Sequence, residues 1–456
     1  MLYIAQMLKN DGDTVTLLDF SIEPFNEQTI KNNVATADAV GITVQSFALE
    51  SVVSIVKVIK ESKPQVPVII GGPHCTLFPE KSLQETQADV SVQGDGEKII
   101  LEIKKAMNKV ISFSEISGIY YRENGVIKKG ADVQLIQDLD ALPFPARNLV
   151  KKYTYGSQFT PKIKNANYTS IVTSRGCPYA CKFCSRNSVS MKKYRTRSTQ
   201  NIIEELKEIQ AQGYKYVAIV DDSFLSNKQQ AHQLFDEIIK ERLHLKFIIT
   251  AARVDVAEKA LFEKMRRAGV THIQYGLESG NQDVLDFYNK NITLEEIRYA
   301  VNLSQEVGFF NMGSFILGAP FETKQHFERT LNFAKALPLD SVGFAILKYM
   351  AGSELWCKAV SEGKISADDY LVVADAKKGL GLFSENDIVQ FCMAARREYY
   401  VRPSFLLRLF MKSLKNDDFG FIHSYLSMFF SDIKDGLKYL GILSKGKTKL
   451  QEKIED

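Results

Sequence analysis

Short apolar runs alternate with amphipathic stretches over the first hundred residues of the chain. Apolar runs joined by helices favour a parallel sheet that is covered on both faces, and helices are predicted at 2–9 and 49–61. The carboxyl ends of the strands in such a sheet meet at one edge, where ligands bind. Four strands are predicted in this part of the chain, at 14–18, 39–44, 66–70 and 89–92.

The same alternation returns between residues 166 and 355. Each apolar run there is followed by an amphipathic stretch with the spacing of a helix. Six consecutive strand–helix units predict a second α/β domain whose site residues lie at the carboxyl ends of its strands. The predicted strands are 168–173, 215–220, 246–251, 271–276, 311–317 and 341–347.

Two further regions follow other patterns. Residues 116–165 are predicted to form a connector with a β-hairpin, because the apolar runs at 118–121 and 126–127 flank a turn that contains glycine. Residues 356–456 are predicted to be helical, with aromatic side chains that pack in a core. Residues 405–415 could lie on a membrane surface or pack on the neighbouring domain, and packing is the favoured interpretation.

The 456 residues are enough for two or three domains. A hydrophobic fraction of 45% with 25% charged residues is typical of a globular protein, and a net charge of +4 gives no reason to expect a nucleic acid partner. The chain starts without a signal-peptide pattern and lacks a run of about 18 apolar residues that could span a membrane. Six cysteines without a disulfide framework suit a reducing compartment, so we expect a cytoplasmic protein.

Three of the six cysteines stand in one short segment. Cys177, Cys181 and Cys184 have the spacing C-x3-C-x2-C, and no fourth cysteine follows nearby. They could be packing thiols or part of a zinc site, but zinc sites favour paired C-x2-C motifs. Iron–sulfur clusters usually take four thiolates. Three thiolates on a 4Fe–4S cluster would leave one iron open for a small molecule.

This motif resembles the one that defines the radical S-adenosylmethionine (SAM) superfamily. The resemblance implies a partial (β/α)6 barrel in which SAM chelates the open iron through its amino and carboxylate groups. An electron from the cluster then cleaves SAM to methionine and a 5′-deoxyadenosyl radical, so an electron donor such as flavodoxin or ferredoxin is expected as a partner. Phe183 occupies the place of the aromatic residue that the family keeps beside the cluster, and the arginines within residues 194–198 could face the cluster or the substrate.

The resemblance also assigns SAM contacts to residues that follow the later strands. Asp221 and Asp222 match the contacts to the amino end of SAM, although either could be a helix cap instead. Arg253 could hold a carboxylate in a forked pair or form a surface ion pair. Glu278 and Ser279 lie in a Gly-Leu-Glu-Ser-Gly segment, where the family places a contact to the ribose hydroxyls.

Residues 1–115 resemble the cobalamin-binding, flavodoxin-like domain that precedes the radical domain in one branch of the superfamily. Taken singly, the glycines at the predicted strand ends are ordinary turn formers, but their order upstream of the cysteine motif matches this family. Glycines there would let the backbone approach a flat macrocycle. The resemblance implies a cobalamin site formed by Gln45, Ser46, Gly71, Gly72, His74, Gly94, Gly96 and Glu97.

The chain departs from that family at its start. The family's domain opens with a central strand and a Pro-rich loop before its first helix, whereas this sequence begins inside that helix. We therefore expect the present chain to bind cobalamin weakly or not at all while still cleaving SAM. His74 also lacks the D-x-H-x2-G setting of a histidine that ligates cobalt, so cobalt without a histidine ligand is expected.

The resemblance to cobalamin-type radical SAM enzymes, a branch with methyltransferases and anaerobic magnesium-protoporphyrin ester cyclases, implies methyl transfer to an unactivated carbon. In that scheme cobalamin takes a methyl group from one SAM, and a radical made from a second SAM activates a small-molecule or lipid-like substrate. Cyclisation, rearrangement or oxidation without methyl transfer is an alternative, as is a degenerate protein that only binds a cluster. The expected domains are 1–115 (cobalamin-binding), 116–165 (linker), 166–355 (radical SAM core) and 356–456 (helical region).

Overall fold

Two β-sheets organise the molecule, one of five strands near the N-terminus and one of six strands in the middle of the chain. No helix among the described residues is long and apolar enough to cross a membrane. The computed structural model describes residues 1–156, 163, 167–416, 419 and 422.

The N-terminal sheet begins with three parallel strands, β1 (Val40–Thr43), β2 (Val68–Gly71) and β3 (Val90–Val92). It continues as an antiparallel hairpin, β4 (Ile119–Glu123) and β5 (Val126–Lys129), and the order along the sheet follows the chain. Its helices are α1 (Leu2–Asn10), α2 (Glu27–Ala35), α3 (Leu49–Ser62), α4 (Pro73–Leu77), α5 (Pro79–Thr86) and α6 (Ile99–Met107).

Both faces of this sheet are covered, because successive residues of its strands belong to separate hydrophobic cores. Val68 and Ile70 of β2 share one core with Ile59 of α3. Ile69, between them, belongs to a second core with Ile103 of α6. The period of two is that of side chains that alternate across a strand. The predicted parallel sheet with two covered faces is therefore confirmed.

Two predictions for this domain need correction. Residues 14–18, predicted as a strand, form no strand. They line a cavity that is also lined by β1, and within the described residues no strand pairs with them. The predicted hairpin is present, but β4 pairs with β3. The hairpin therefore extends the N-terminal sheet instead of belonging to a separate connector.

The second sheet forms the partial barrel. Each predicted strand is present with bounds within two residues of the prediction. All neighbouring strands are parallel and follow chain order, and the first and last strands of the sheet are not paired with each other among the described residues. The strands are β6 (Tyr168–Ile171), β9 (Tyr216–Ile219), β10 (Lys246–Ala252), β11 (Val270–Glu278), β12 (Phe310–Leu317) and β13 (Ser341–Ile346).

A short antiparallel ribbon interrupts the barrel after its first strand. It consists of β7 (Ser174–Arg175) and β8 (Arg195–Thr196), and it encloses the segment with the three cysteines. Helices follow the strands, as the amphipathic stretches of the sequence predict. They are α7 (Arg186–Val189), α8 (Thr199–Ala211), α9 (Lys228–Lys240), α10 (Lys259–Arg267), α11 (Gln282–Phe287), α12 (Leu294–Val307) and α13 (Lys324–Ala336).

The region after the barrel packs against it. It adds a two-stranded ribbon, β14 (Lys348–Met350) with β15 (Leu371–Val373), so it is not purely helical as predicted. The predicted packing of residues 405–415 is confirmed, because the buried Lys412 ammonium forms an ion pair with Asp340. The helices are α14 (Glu354–Ser361), α15 (Glu385–Tyr400) and α16 (Pro403–Asn416).

Candidate active site

The cysteine loop, residues 176–194, is the centre of the candidate site. Arg175 and Arg195 are paired residues of the β7–β8 ribbon, so the two ends of the loop are held side by side. Gly176 has a φ of +86°, and a Cβ there would overlap the carbonyl oxygen of Lys193. Glycine is therefore required immediately before Cys177.

Asp221, predicted to contact SAM, anchors the start of this loop. It is buried at the end of β9 and accepts hydrogen bonds from the Thr173 backbone N–H at 2.7 Å and from the Ser174 hydroxyl at 2.6 Å. Burial raises the pKa of the Asp221 carboxyl, and the hydrogen bonds from Ser174 and Thr173 oppose that shift. Both of its oxygens accept hydrogen bonds from Thr173 and Ser174, so Asp221 supports the segment that leads into the cysteine loop, and its contact with SAM stays a prediction.

The three cysteines are free and half-buried on this loop. Burial raises the pKa of Cys177, and it raises that of Cys184 to about 11. Among the described residues, no three His, Cys, Asp or Glu side chains converge as the ligands of one metal ion do. A 4Fe–4S cluster takes each thiolate on a different iron, so its ligands need not converge on one point. Free thiols on one pinned loop fit that cluster better than zinc.

Arg253 stacks on the cysteine loop. Its guanidinium lies 3.7 Å from the ring centroid of Tyr179, between the first two cysteines, which is a close cation–π contact. It also pairs with Asp255 at 3.0 Å and donates to the backbone carbonyl of Lys290 at 2.7 Å. Arg253 is buried, so the predicted alternative of an exposed surface ion pair does not apply.

Glu278 and Lys290 form a buried ion pair at the carboxyl end of β11. The Lys290 Nζ lies 2.7 Å from Glu278 Oε1. Glu278 has a φ of +62°, an uncommon left-handed conformation for a residue with a side chain. A side chain at Gly276 would overlap the Glu278 carboxylate, so glycine at that position makes room for it. Burial lowers the pKa of Lys290, but the negative charges of Glu278 and Cys181, together with the hydrogen bond to Glu278, raise it above its usual value.

The remaining predicted SAM residues differ in their exposure. Asp222 is partly exposed and pairs with Arg186 at 3.3 Å. Phe183 is also partly exposed and packs edge-on against Tyr288, with the ring centroids 5.1 Å apart. Ser279 is fully buried and accepts a hydrogen bond from the Asn281 backbone N–H at 3.1 Å. Asp222 and Phe183 are thus open to a ligand, whereas Ser279 is structural.

A buried glutamate, Glu322, stabilises the turn after β12. Glu322 Oε2 accepts hydrogen bonds from the backbone N–H groups of Gly318 and Ala319, both at 2.7 Å. Burial raises the pKa of Glu322 to about 7, against the opposing effect of these hydrogen bonds. The carboxyl group therefore holds the Gly-Ala-Pro turn that the barrel presents beside β11.

The predicted cobalamin residues Ser46, Gly72 and His74 contact other residues of the protein. His74 is fully buried; its Nδ1 lies 3.1 Å from the Ser46 hydroxyl and its Nε2 lies 3.4 Å from Glu85. The Tyr370 hydroxyl, from the C-terminal region, donates to Glu85 at 2.6 Å. Burial lowers the pKa of His74. A glycine is required at Gly72 because a Cβ would lie 2.8 Å from the Thr43 hydroxyl.

The predicted cobalamin residues Gly94, Gly96 and Glu97 follow β3, and Glu97 contacts the ribbon from which the cysteine loop extends. Glu97 pairs with Arg175 at 2.6 Å. A side chain at Gly96 would crowd Ile4, and one at Gly94 would crowd Leu135. At Gly71, at the end of β2, a Cβ would make only an ordinary contact with Val92, 3.6 Å away. Packing within the protein therefore explains glycine at Gly94 and Gly96 but not at Gly71.

A cavity of about 3030 Å³ lies beside the edge of β1. It reaches Gln45 and Phe47 after β1 and Val220 after β9, so it extends along both domains. Of the predicted cobalamin residues, Gln45 lines this cavity, and the others do not. The volume exceeds the roughly 300–1,000 Å³ of ordinary small-molecule pockets, which suits a bulky ligand.

Three residues of the site escaped the sequence analysis. Lys290 and Tyr179 are partners of the predicted residues Glu278 and Arg253. Glu322 holds the turn after β12. The signal for Lys290 was indirect, since a buried acid such as Glu278 requires a positive partner. The arginines within 194–198 were predicted to face the cluster or the substrate. Arg195 pairs with Asp95 and Arg197 pairs with Glu205, and neither acid belongs to the cysteine loop.

Two family models match the chain. Residues 171–334 match the radical SAM superfamily, and residues 1–104 match the B12 binding domain. An uncharacterized methyltransferase of Pyrococcus horikoshii is 30% identical over 412 residues, which cover 89% of this chain and 88% of the relative. The chain therefore belongs to the family of radical SAM enzymes with a cobalamin-binding domain. Membership of this family implies a 4Fe–4S cluster, SAM and cobalamin as cofactors.

Other similarities agree with this family. The anaerobic magnesium-protoporphyrin IX monomethyl ester cyclase of Rubrivivax gelatinosus is 24% identical over 424 residues, covering 90% of this chain and 75% of the cyclase. The radical SAM methyltransferase TsrM of Kitasatospora setae, solved with cobalamin and a [4Fe-4S] cluster, has 19% identity. Its TM-score is 0.66, over 79% of this chain and 71% of TsrM. That structure supports the fold of both domains.

Proposed function

We propose that the protein transfers a methyl group from SAM to an unactivated carbon of a small-molecule substrate. The observation that carries this proposal is that the ribbon from which the cysteine loop extends contacts the N-terminal domain directly, through Arg175 and Glu97. A methyl transfer that uses two cofactors needs both beside one carbon. Two cofactor-binding regions that share an interface at the cysteine loop meet that need.

Cys177, Cys181 and Cys184 would hold the cluster as three thiolate ligands. When bound, the cluster and SAM supply a carbon radical by reductive cleavage, and cobalamin supplies a carrier for the methyl group. Arg253 and Lys290 lie close enough to Cys181 for favourable electrostatic interaction. Their positive charges would offset the negative charge of the bound thiolates in a partly buried site.

SAM would be oriented by residues at the ends of three barrel strands. Asp222, after β9, is the acid that remains accessible to accept a hydrogen bond from an amino group. Lys290 occupies Oε1 of Glu278, and we assign Oε2 as the acceptor for a ribose hydroxyl. The strained backbone at Glu278 fits this role, because strain of that kind is concentrated at ligand-binding sites. Cobalamin would lie in the cavity reached by Gln45 and Phe47.

Reconstitution under anaerobic conditions tests this function. Wild-type protein should hold about four irons per chain and release 5′-deoxyadenosine from SAM when reduced with dithionite. Replacing any of the three loop cysteines with Ala should abolish that release. The matched control is Cys357→Ala, since Cys357 is free and exposed on α14 outside the site. The control should keep the iron content and the activity of the wild type.

Methyl-labelled SAM distinguishes methyl transfer from other radical chemistry. The label should appear in added hydroxocobalamin only when the reduced, cluster-loaded enzyme is present. Release of 5′-deoxyadenosine without any label in cobalamin would favour cyclisation, rearrangement or oxidation. A full cluster without 5′-deoxyadenosine would identify the degenerate protein and overturn the proposed function.

A further inference from the structure

The loop after β3, residues 94–97, binds Arg175, the residue immediately before the cysteine loop. Arg175 Nη2 lies 2.6 Å from Glu97 Oε1, and Arg175 Nη1 lies 3.2 Å from Glu97 Oε2. Arg175 Nη1 also lies 2.7 Å from Asp95 Oδ1. Glu97 therefore receives a forked, bidentate pair from the residue two positions before Cys177.

Residues 94–97 also bind Arg195, the residue immediately after the cysteine loop. Arg195, which is opposite Arg175 in the β7–β8 ribbon, donates from Nη1 to Asp95 Oδ2. Asp95 Oδ2 accepts a further hydrogen bond from the Ile136 backbone N–H at 3.0 Å, and the Ile136 carbonyl accepts from Arg195. One carboxylate of the N-terminal domain thus holds both stems of the loop that carries all three cysteines.

These four charges are balanced in number, and three of them are shielded from solvent, while Arg175 is partly exposed. Asp95, Glu97 and Arg195 are each exposed by 9% or less. Burial alone would raise the pKa of Asp95, but the hydrogen bond from Arg195 and the charge of Arg175 hold it below its usual value. Two acids and two bases satisfy each other, so removal of one partner would leave a buried charge without compensation.

We propose that Asp95 and Glu97 are positioning residues that fix the cysteine loop against the cobalamin-binding domain and so set the separation of the two cofactors. The ribbon transmits this restraint to Cys177 because Gly176, the single residue between, is confined by the Lys193 carbonyl. The restraint on the loop follows from the contacts alone, and its effect on cofactor separation rests on the proposed function. In this arrangement Glu97 serves the cluster-binding loop and not cobalamin.

Hydrogen exchange of the full chain tests the restraint without any cofactor. Asp95→Asn should make the amides of residues 176–194 exchange about tenfold faster or more, because a charged buried hydrogen bond is worth about 1.5–3 kcal/mol. Residues 294–317, which form α12 and β12, should be unchanged. Asp13→Asn is the matched control, since Asp13 pairs with Lys104 on the surface of the same domain. Glu97→Gln leaves the contacts of Asp95 in place, so it should give a smaller increase in the exchange rate, confined to residues 176–194.

Two results would overturn the proposal. Unchanged exchange in residues 176–194 would show that the contacts do not restrain the loop. Equally faster hydrogen exchange in residues 294–317 would show a general loss of stability. If Asp95→Asn does not fold, the milder variant Glu97→Gln still allows the two segments to be compared.

The cofactor separation is measured with cluster-loaded protein and added hydroxocobalamin. After reduction to cob(II)alamin, the magnetic interaction between cobalt and the reduced cluster depends on their distance, so the electron paramagnetic resonance spectrum of Glu97→Gln should differ from that of the wild type. Identical spectra would overturn the role in cofactor separation. Absence of cobalamin binding in the wild type would match the weak binding expected from the sequence and count against cobalamin-dependent methyl transfer, and the exchange experiment would still decide on the restraint.

Discussion

The two sheets use the carboxyl ends of their strands differently. In the barrel, the ends of β9 and β10 bring Asp222 and Arg253 to the cysteine loop, where they contact Arg186 and Tyr179, and the end of β11 carries Glu278 with its partner Lys290. In the N-terminal domain, the ends of β2 and β3 carry residues whose partners lie within the protein, such as His74 with Glu85 and Glu97 with Arg175. Strand ends therefore indicate where polar residues gather, but a domain interface can occupy them as well as a ligand.

The largest effect on stability is expected at the buried pair of the barrel. Lys290→Met would leave Glu278 without its partner and should lower the free energy of unfolding by about 3–5 kcal/mol. Lys259→Met removes an exposed, solvent-screened pair with Glu306 and should change the free energy of unfolding far less. Urea unfolding of both variants at neutral pH measures the difference.

A double variant sharpens this result. Glu278→Gln combined with Lys290→Met removes both charges and should recover most of the lost stability, because no uncompensated ion remains. If Lys290→Met proved as stable as the Lys259→Met control, Glu278 would not depend on its lysine.

An intermediate effect is expected from the acid that closes the loop after β12. The pKa of Glu322 is higher in the folded protein than its usual value and reaches about 7. The folded protein is therefore favoured at low pH and loses stability as the pH rises from about 4.5 to about 7, by a total of about 3 kcal/mol. Glu322→Gln cannot ionise and should lack this loss.

Unfolding of Glu322→Gln and of the wild type at pH 5 and pH 8 checks this expectation. The stability of the Gln variant relative to the wild type should increase by about 3 kcal/mol between the two pH values. A constant difference would mean that Glu322 keeps its usual pKa in the folded protein.

The smallest effect on stability is expected in the N-terminal domain, at Phe47. This side chain is 76% exposed on the rim of the cavity, so Phe47→Ser should change the free energy of unfolding by less than about 0.5 kcal/mol. Loss of an apolar contact should nevertheless weaken hydroxocobalamin binding about tenfold. Equilibrium dialysis followed by visible absorbance measures the affinity.

Val110→Ser is the control for this experiment, because Val110 is similarly exposed in the same domain but does not line the cavity. It should leave both stability and affinity unchanged. Equal affinity of the Phe47 variant and this control would place the ligand elsewhere in the domain.

The sequence predicted the barrel well because each of its strands is an apolar run followed by its own helix. The cysteines and Arg253 could be predicted for a similar reason, since each lies directly after a strand in a local pattern. The role of Glu97 could not, because its partner Arg175 is 78 residues away and belongs to another domain. Residues 14–18 have the composition of a strand, but a strand also requires a neighbour, which composition does not encode.

The hydrogen bond from Tyr370 to Glu85 has a consequence for how this architecture could be rebuilt. It joins the C-terminal region to the N-terminal domain, which already meets the cysteine loop through Glu97. The three parts of the molecule therefore close into a ring of contacts and do not form a linear string of modules. An N-terminal domain grafted from another protein would have to offer acceptors for Tyr370 and Arg175 together, so domains of this enzyme should be exchangeable only as matched sets.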